Sequence, residues 1–196
     1  MTSLQSDAAT ALATLLGGNR RHALGTPAPH APGEHPGVLA AVLTCSDLGV
    51  APEAIFDTQP GRLIVTSTAA HLTGTAALAG IDYALTLHQA PLVVVLGHQP
   101  CRILDTVHAQ YTRGTVSTAY HGAITAHLGL TLRHRPATTP EDLLDRHLRH
   151  TATTLLDTFP VLARLHRADP AALATLVYTP ADRLVRPLRT VPVLQS

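Results

Sequence analysis

Pro91-Leu-Val-Val-Val-Leu-Gly-His-Gln-Pro-Cys-Arg102 is the stretch whose reading decides the fold. Five apolar residues, Leu92 to Leu96, three of them β-branched, run into Gly97, and His98 and Cys101 follow. An unbroken apolar run of this kind reads as a strand buried on both faces, the situation of a strand inside a parallel sheet. Open α/β sheets place their chemistry beyond the carboxyl ends of such strands. His98 and Cys101, three residues apart on the turn leaving the strand, can address one metal ion.

A second run, Val38 to Asp47, reads Val-Leu-Ala-Ala-Val-Leu-Thr-Cys-Ser-Asp and ends in Cys45 and Asp47. The chain has only two cysteines, and each stands just past a strand of this type. If the two strands are parallel neighbours, Cys45, His98 and Cys101 converge at one edge of the sheet. Two thiolates and an imidazole suit zinc, with Asp47 near enough to be a fourth ligand. The alternatives are two buried thiols beside a core histidine, or a Cys45–Cys101 disulfide.

Composition bounds the rest. At 196 residues, 45% apolar and only 14% charged, the chain is expected to be one globular domain with a real core. A formal net charge of +1 gives no basic face for nucleic acid. Met1 to Asp7 is polar and lacks a secretory leader pattern, and no apolar run reaches the length of a membrane span. The expectation is a cytoplasmic protein, where cysteines serve metals or catalysis more often than disulfides. Thirteen histidines make chance pairs common. His98 is set apart by its strand end and its neighbouring cysteine.

Along residues 1–196, read as a single domain, residues 1–24 form an N-terminal helical arm. Its helix is expected over Ala8 to Leu16, stopped at Gly17-Gly18. Residues 25–37, with four prolines, read as an extended connection. Strands are expected at Val38–Thr44, Leu63–Thr66, Leu92–Leu96 and Leu173–Tyr178, with an edge strand Leu184–Leu188 carrying Pro187. Helices are expected from Pro52, over Gly74–Leu87, Cys101–Tyr111, Ala119–Leu132, Glu141–Leu156 with Thr139 as cap, and Phe159–Arg167. Arg133 to Thr139 reads as a loop. The alternation argues for an α/β fold, a mostly parallel sheet flanked by helices. Tyr83 reads as core, His147 and His150 as exposed.

The order of these pieces resembles the β-class carbonic anhydrases. The likeness is carried by Cys45-Ser46-Asp47, Ile55-Phe56-Asp57, Pro60 to Val65 and Gly97-His98-Gln99-Pro100-Cys101, with Gly18-Asn19-Arg20-Arg21 before them and Leu176 to Leu188 after. The resemblance implies a central, mostly parallel sheet and a homodimer or tetramer, with the N-terminal helix lying across the partner subunit. It implies Zn2+ held by Cys45, His98 and Cys101, with Asp47 orienting the zinc-bound water. The substrate it implies is CO2, hydrated to bicarbonate.

The chain also departs from that pattern. The family motif continues Cys-x-Asp-Ser-Arg, but here the arginine position is Gly49, so the partner that would hold Asp47 off the metal is missing. That favours Asp47 as a zinc ligand and a closed, structural site. The loop after the second strand, Ser67 to His71, lacks the usual arginine and glycine, and the glycine after the second cysteine is Arg102. Arg102 could reach Asp47, but its expected place is in solvent or at an interface. His71 could line the pocket or be an ordinary hydrogen-bonded loop histidine. Two functions follow: a zinc enzyme for CO2 or an analogue such as carbonyl sulfide or carbon disulfide, or a catalytically silent relative serving as scaffold, sensor or partner-binding module.

Overall fold

The computed structural model describes residues 7–29, 37–115, 121–132 and 137–188. Five strands form one sheet in the order β2-β1-β3-β4-β5: β1 Ala40–Cys45, β2 Leu63–Thr68, β3 Leu92–His98, β4 Leu173–Thr179 and β5 Leu184–Pro187. The first four are mutually parallel, and β5 runs antiparallel to β4. Every residue of β1 and β3 is buried, as expected for apolar runs covered on both faces. β5 is an edge strand, as β2 is on the other side, and Pro187 at its end leaves no ladder donor to lose.

Seven helices cover the sheet among the described residues: α1 Ala8–Leu24, α2 Pro52–Ile55, α3 Thr75–Thr86, α4 Arg102–Thr112, α5 His121–Leu132, α6 Pro140–Thr158 and α7 Pro160–Ala168. One core layer joins β1 and β3 to α3, α4, α5 and α6, and the other packs α1 and α2 on the opposite face. After β1 the chain forms β2 on one side and then β3 on the other. The carboxyl ends of β1 and β3 therefore border a topological switch point, where such sheets hold ligands.

α1 does not stop at Gly17-Gly18. It runs to Leu24 and is capped by Gly25 at φ 69°, with Gly25 N–H donating to His22 O at 3.1 Å and Thr26 N–H to Arg21 O at 3.0 Å. Gly18 serves close packing instead: a Cβ there would lie 1.8 Å from the Phe56 carbonyl oxygen. Beside it, buried Asn19 donates to Ile55 O and Arg183 O and accepts from Val185 N–H. One amide thereby ties α1 to α2 and β5.

Other expectations hold or shift for local reasons. Thr139 caps α6, its hydroxyl accepting from Asp142 N–H at 3.2 Å. β2 and β3 run about two residues past their expected ends, because pairing with their neighbours continues to the site. Tyr83 is 47% exposed, since Ala77, Ile81, Ala84 and Leu85 form the buried stripe of α3. His147 is fully buried, on the apolar face of α6 with Leu143, Leu144 and Leu148, while His150 is half-buried. Met1 to Ser6, most of the Pro-rich connection (residues 30–36), the start of the helix expected from Ala119, and the loop at 133–136 lie outside the described residues.

Candidate metal centre

Cys45 is the last residue of β1, and His98 the last of β3. These strands pair in parallel from Ala40↔Leu92 to Thr44↔Leu96, so the two side chains emerge at adjacent strand ends. The turn through Gln99 and Pro100 then brings Cys101 back, immediately before α4. One ligand atom from each of Cys45, His98 and Cys101 lies within 4.8 Å of the others, and all three residues are buried. Both cysteines are free, so the disulfide alternative is not formed.

The two thiols and the imidazole act strongly on one another. Cys45 is pushed strongly down, first by a hydrogen bond from the Cys101 thiol and also by His98, against the opposing effect of burial. Cys101 is pushed up by the same bond and by burial. His98 Nε2 is buried and has no hydrogen-bond partner among the described residues. A soft divalent ion satisfies all three groups at once, so the residues present fit zinc.

Asp47 stands beside this set, its backbone N–H 3.5 Å from Cys45 Sγ. Its carboxylate is held from the other side. Arg102 N–H donates to Oδ2 at 2.9 Å, and the Arg102 guanidinium reaches Oδ1 from Nε at 3.2 Å and from a terminal nitrogen at 3.0 Å. Arg102 is thus not simply in solvent, although its side chain is 90% exposed. Cys101, at the N-cap of α4, makes no side-chain cap bond, and Asp47 supplies that acceptor from a different loop, where the helix dipole also favours a negative charge.

The remaining candidates sit at different depths. Gly49 is exposed at φ 74°, a left-handed conformation that glycine adopts freely. Ser67 is exposed on β2, paired with Thr44. His71 is fully buried and hydrogen-bonds through Nε2 to Leu96 O at 3.0 Å, so it backs the centre instead of opening onto solvent. Sequence reasoning read His147 as exposed, whereas it is buried and bonds through Nε2 to Ala70 O in the turn beside Cys45. The available signal was its spacing of four from Leu143 and Thr151 on the buried stripe.

Comparison with known proteins agrees with this geometry. The family model described as carbonic anhydrase matches residues 40–185. Carbonic anhydrase 2 of Mycobacterium tuberculosis is 37% identical over 111 residues, 53% of this chain and 54% of that protein. A carbonic anhydrase of Mycolicibacterium smegmatis is 37% identical over 81 residues, 41% of this chain and 39% of that protein. The chain spans about half the length, or less, of the curated relatives it matches. Among solved structures, a β-carbonic anhydrase of Aspergillus fumigatus superimposes with a TM-score of 0.68 at 17% identity, over 82% of this chain and 79% of that one. A tetrameric β-carbonic anhydrase of Sordaria macrospora gives 0.64 at 16% identity, over 93% and 95%. At such identities the structural likeness is one of fold. Among the described residues no helix is long and apolar enough to cross a membrane.

Proposed function

Because the chain belongs to the β-class carbonic anhydrase family, we propose that it holds zinc at Cys45, His98 and Cys101 and catalyses the reversible hydration of CO2 to bicarbonate. What carries this reading is the contrast between three converging donors and a neighbouring carboxylate whose two oxygens already accept from Arg102. Zinc bound to three protein ligands with a fourth position open acts as a Lewis acid and brings the pKa of a water toward neutrality.

The chain's own residues do the rest. Two thiolates offset the charge of a divalent ion, and His98 keeps one ring nitrogen for it. Asp47, restrained by Arg102, stands at the mouth as a hydrogen-bond acceptor that orients the attacking group. The proposal includes self-association into a dimer or tetramer, with α1 reaching a partner. Leu24 at 77% and Leu87 at 68% exposure support it, as does the outer edge of β2, which pairs with no strand among the described residues.

Zinc content measured alongside stopped-flow CO2 hydration, from about pH 7 to about 9, tests the reading. One zinc per chain with hydration rising with pH is the expected result. Zinc without hydration would replace the enzyme by a metal-holding scaffold or sensor. Hydration by a zinc-free chain would remove both.

A further inference from the structure

Behind the centre stands a second group of histidines that the proposed chemistry does not use. His147 on α6 is 0% exposed, with Nε2 2.7 Å from Ala70 O. His71 is equally buried, with Nε2 on Leu96 O. A carbonyl oxygen only accepts, so each neutral ring carries its proton on Nε2 and leaves Nδ1 bare. Among the described residues neither Nδ1 has a partner. The two rings lie 5.6 Å apart, and His127 of α5 stands edge-on to His147 at 5.5 Å with its own Nε2 unpartnered.

These bonds hold an unusual turn. Ala70 at φ 48° and His71 at φ 54° are consecutive non-glycine residues in the left-handed region, which L side chains adopt rarely. The turn, Ala69–His71, follows Thr68, the partner of Cys45 in the sheet. It packs against both the end of β1 and helix α4, which begins after Cys101. α6 also grips the third ligand's strand: Leu144 and Leu148 close on Gly97, where a Cβ would come 2.6 Å from Leu148 Cδ1.

We propose that His147 is a positioning residue for the metal centre: as a neutral imidazole it holds the Ala70–His71 turn against the cysteines, and a proton added at its bare Nδ1 sets an unpaired charge into that packing and loosens the turn in acid. The proposal rests on reading Cys45, His98 and Cys101 as a metal site. Among the described residues, the titratable groups that act most on His147 are His71 from the turn, His127 from α5 and His150 from α6 itself. Cys45 and His98 act in turn on His71. The nearby carboxylates of α6, Asp142 and Asp145, are engaged by Arg146 and Arg149. A proton on Nδ1 would thus be a buried donor with no acceptor, surrounded by other imidazoles. Burial pushes His147 well below the ordinary imidazole range, in keeping with a neutral ring near pH 7.

His147→Gln keeps an N–H for Ala70 O but does not titrate, whereas His147→Leu loses the donor. Cobalt(II) retention against a chelator is measured on the full chain from about pH 8 to about 5. At about pH 8 the Gln variant is expected to match the native chain within roughly threefold, and the Leu variant to bind about tenfold more weakly. On acidification the native chain is expected to lose cobalt at a midpoint about half a unit or more above that of the Gln variant. Protonation of the three ligands is common to both chains, so the difference reads His147. Coincident midpoints, or native affinity in the Leu variant, overturn the proposal. Should the Gln variant not fold, 15N NMR of the native imidazoles decides. A neutral Nε2–H tautomer at about pH 7 is expected, and a charged ring or an Nδ1–H tautomer overturns the proposal. A native chain that takes up no cobalt at about pH 8 sinks the metal reading and this proposal together, an outcome distinct from cobalt bound with coincident midpoints.

Discussion

Asp47 and Arg102 are joined by three hydrogen bonds across 55 residues of chain, one from the backbone N–H at the start of α4 and two from the guanidinium. The arginine that the sequence lacks at Gly49 is thereby matched by one that follows the second cysteine. Arg102→Ala removes the two guanidinium bonds and leaves the backbone bond. The carboxylate is then freer to turn toward an ion held at Cys45, His98 and Cys101. We expect CO2 hydration to fall about tenfold or more, while stability changes by no more than about 1 kcal/mol, because the guanidinium is mostly exposed. The cobalt(II) spectrum would shift as a carboxylate oxygen enters the coordination sphere. Unchanged hydration and an unchanged spectrum would detach Arg102 from the site. Gly49→Arg is a poorer test, because at φ 74° an arginine backbone is strained whatever its side chain does.

Removing a ligand should act on metal binding and folding together. Cys101→Ser keeps the turn but replaces a soft thiolate by a hydroxyl that does not ionise at neutral pH. Zinc content is expected to fall to a small fraction of one per chain, with hydration lost in proportion. Chelation of the native protein should lower its thermal midpoint by several degrees, because an ion bound only to the folded state stabilises it by mass action. A chain with full zinc after Cys101→Ser would mean that the ion sits elsewhere.

The sheet and the convergence of Cys45, His98 and Cys101 were legible because their signal is local. A strand buried on both faces must be apolar throughout, so β1 and β3 show in the sequence, and chemistry at their ends follows from sheet topology. What the sequence withheld depends on contacts between distant segments. Gly17-Gly18 resembles a helix stop until Phe56 O is seen against Gly18. The direction of Arg102 depends on where the loop after β1 places Asp47. The burial of His147 depends on which face of α6 meets the turn at Ala70. Tyr83 fails for the same reason, an aromatic residue one position off the buried stripe.

Acid should unfold the protein earlier than its size alone would suggest. Burial lowers the pKa of both His71 and His147 from the imidazole value of 6.5, and of His127 beside them. In the unfolded chain these rings regain ordinary values and bind protons as pH falls through that region. Their contribution to stability is therefore complete above about pH 6.5 and is lost progressively below it, toward their lower folded values. Urea unfolding of the metal-free protein at about pH 7.5 and about pH 5.5 should show a loss of order 1–3 kcal/mol. In His147→Gln that loss should be smaller. Equal slopes in both chains would mean that other groups govern the acid limb.

The adjacent glycines of α1 offer the sharpest contrast in packing. Both lie in a helix interior, where glycine costs about 0.5–1 kcal/mol relative to alanine through lost backbone freedom. At Gly17 an added Cβ meets no heavy atom within 4 Å. Gly17→Ala should therefore stabilise the protein by roughly that amount. At Gly18 the same methyl would sit 1.8 Å from the Phe56 carbonyl oxygen and 2.8 Å from its carbon, both backbone atoms that cannot rotate aside. α1 would have to lift from α2, straining the Asn19 bonds to Ile55 O and Arg183 O. Gly18→Ala should cost about 2–3 kcal/mol in urea unfolding, the scale of an overpacked core. If the two substitutions behave alike, α1 does not pack on Phe56 as described.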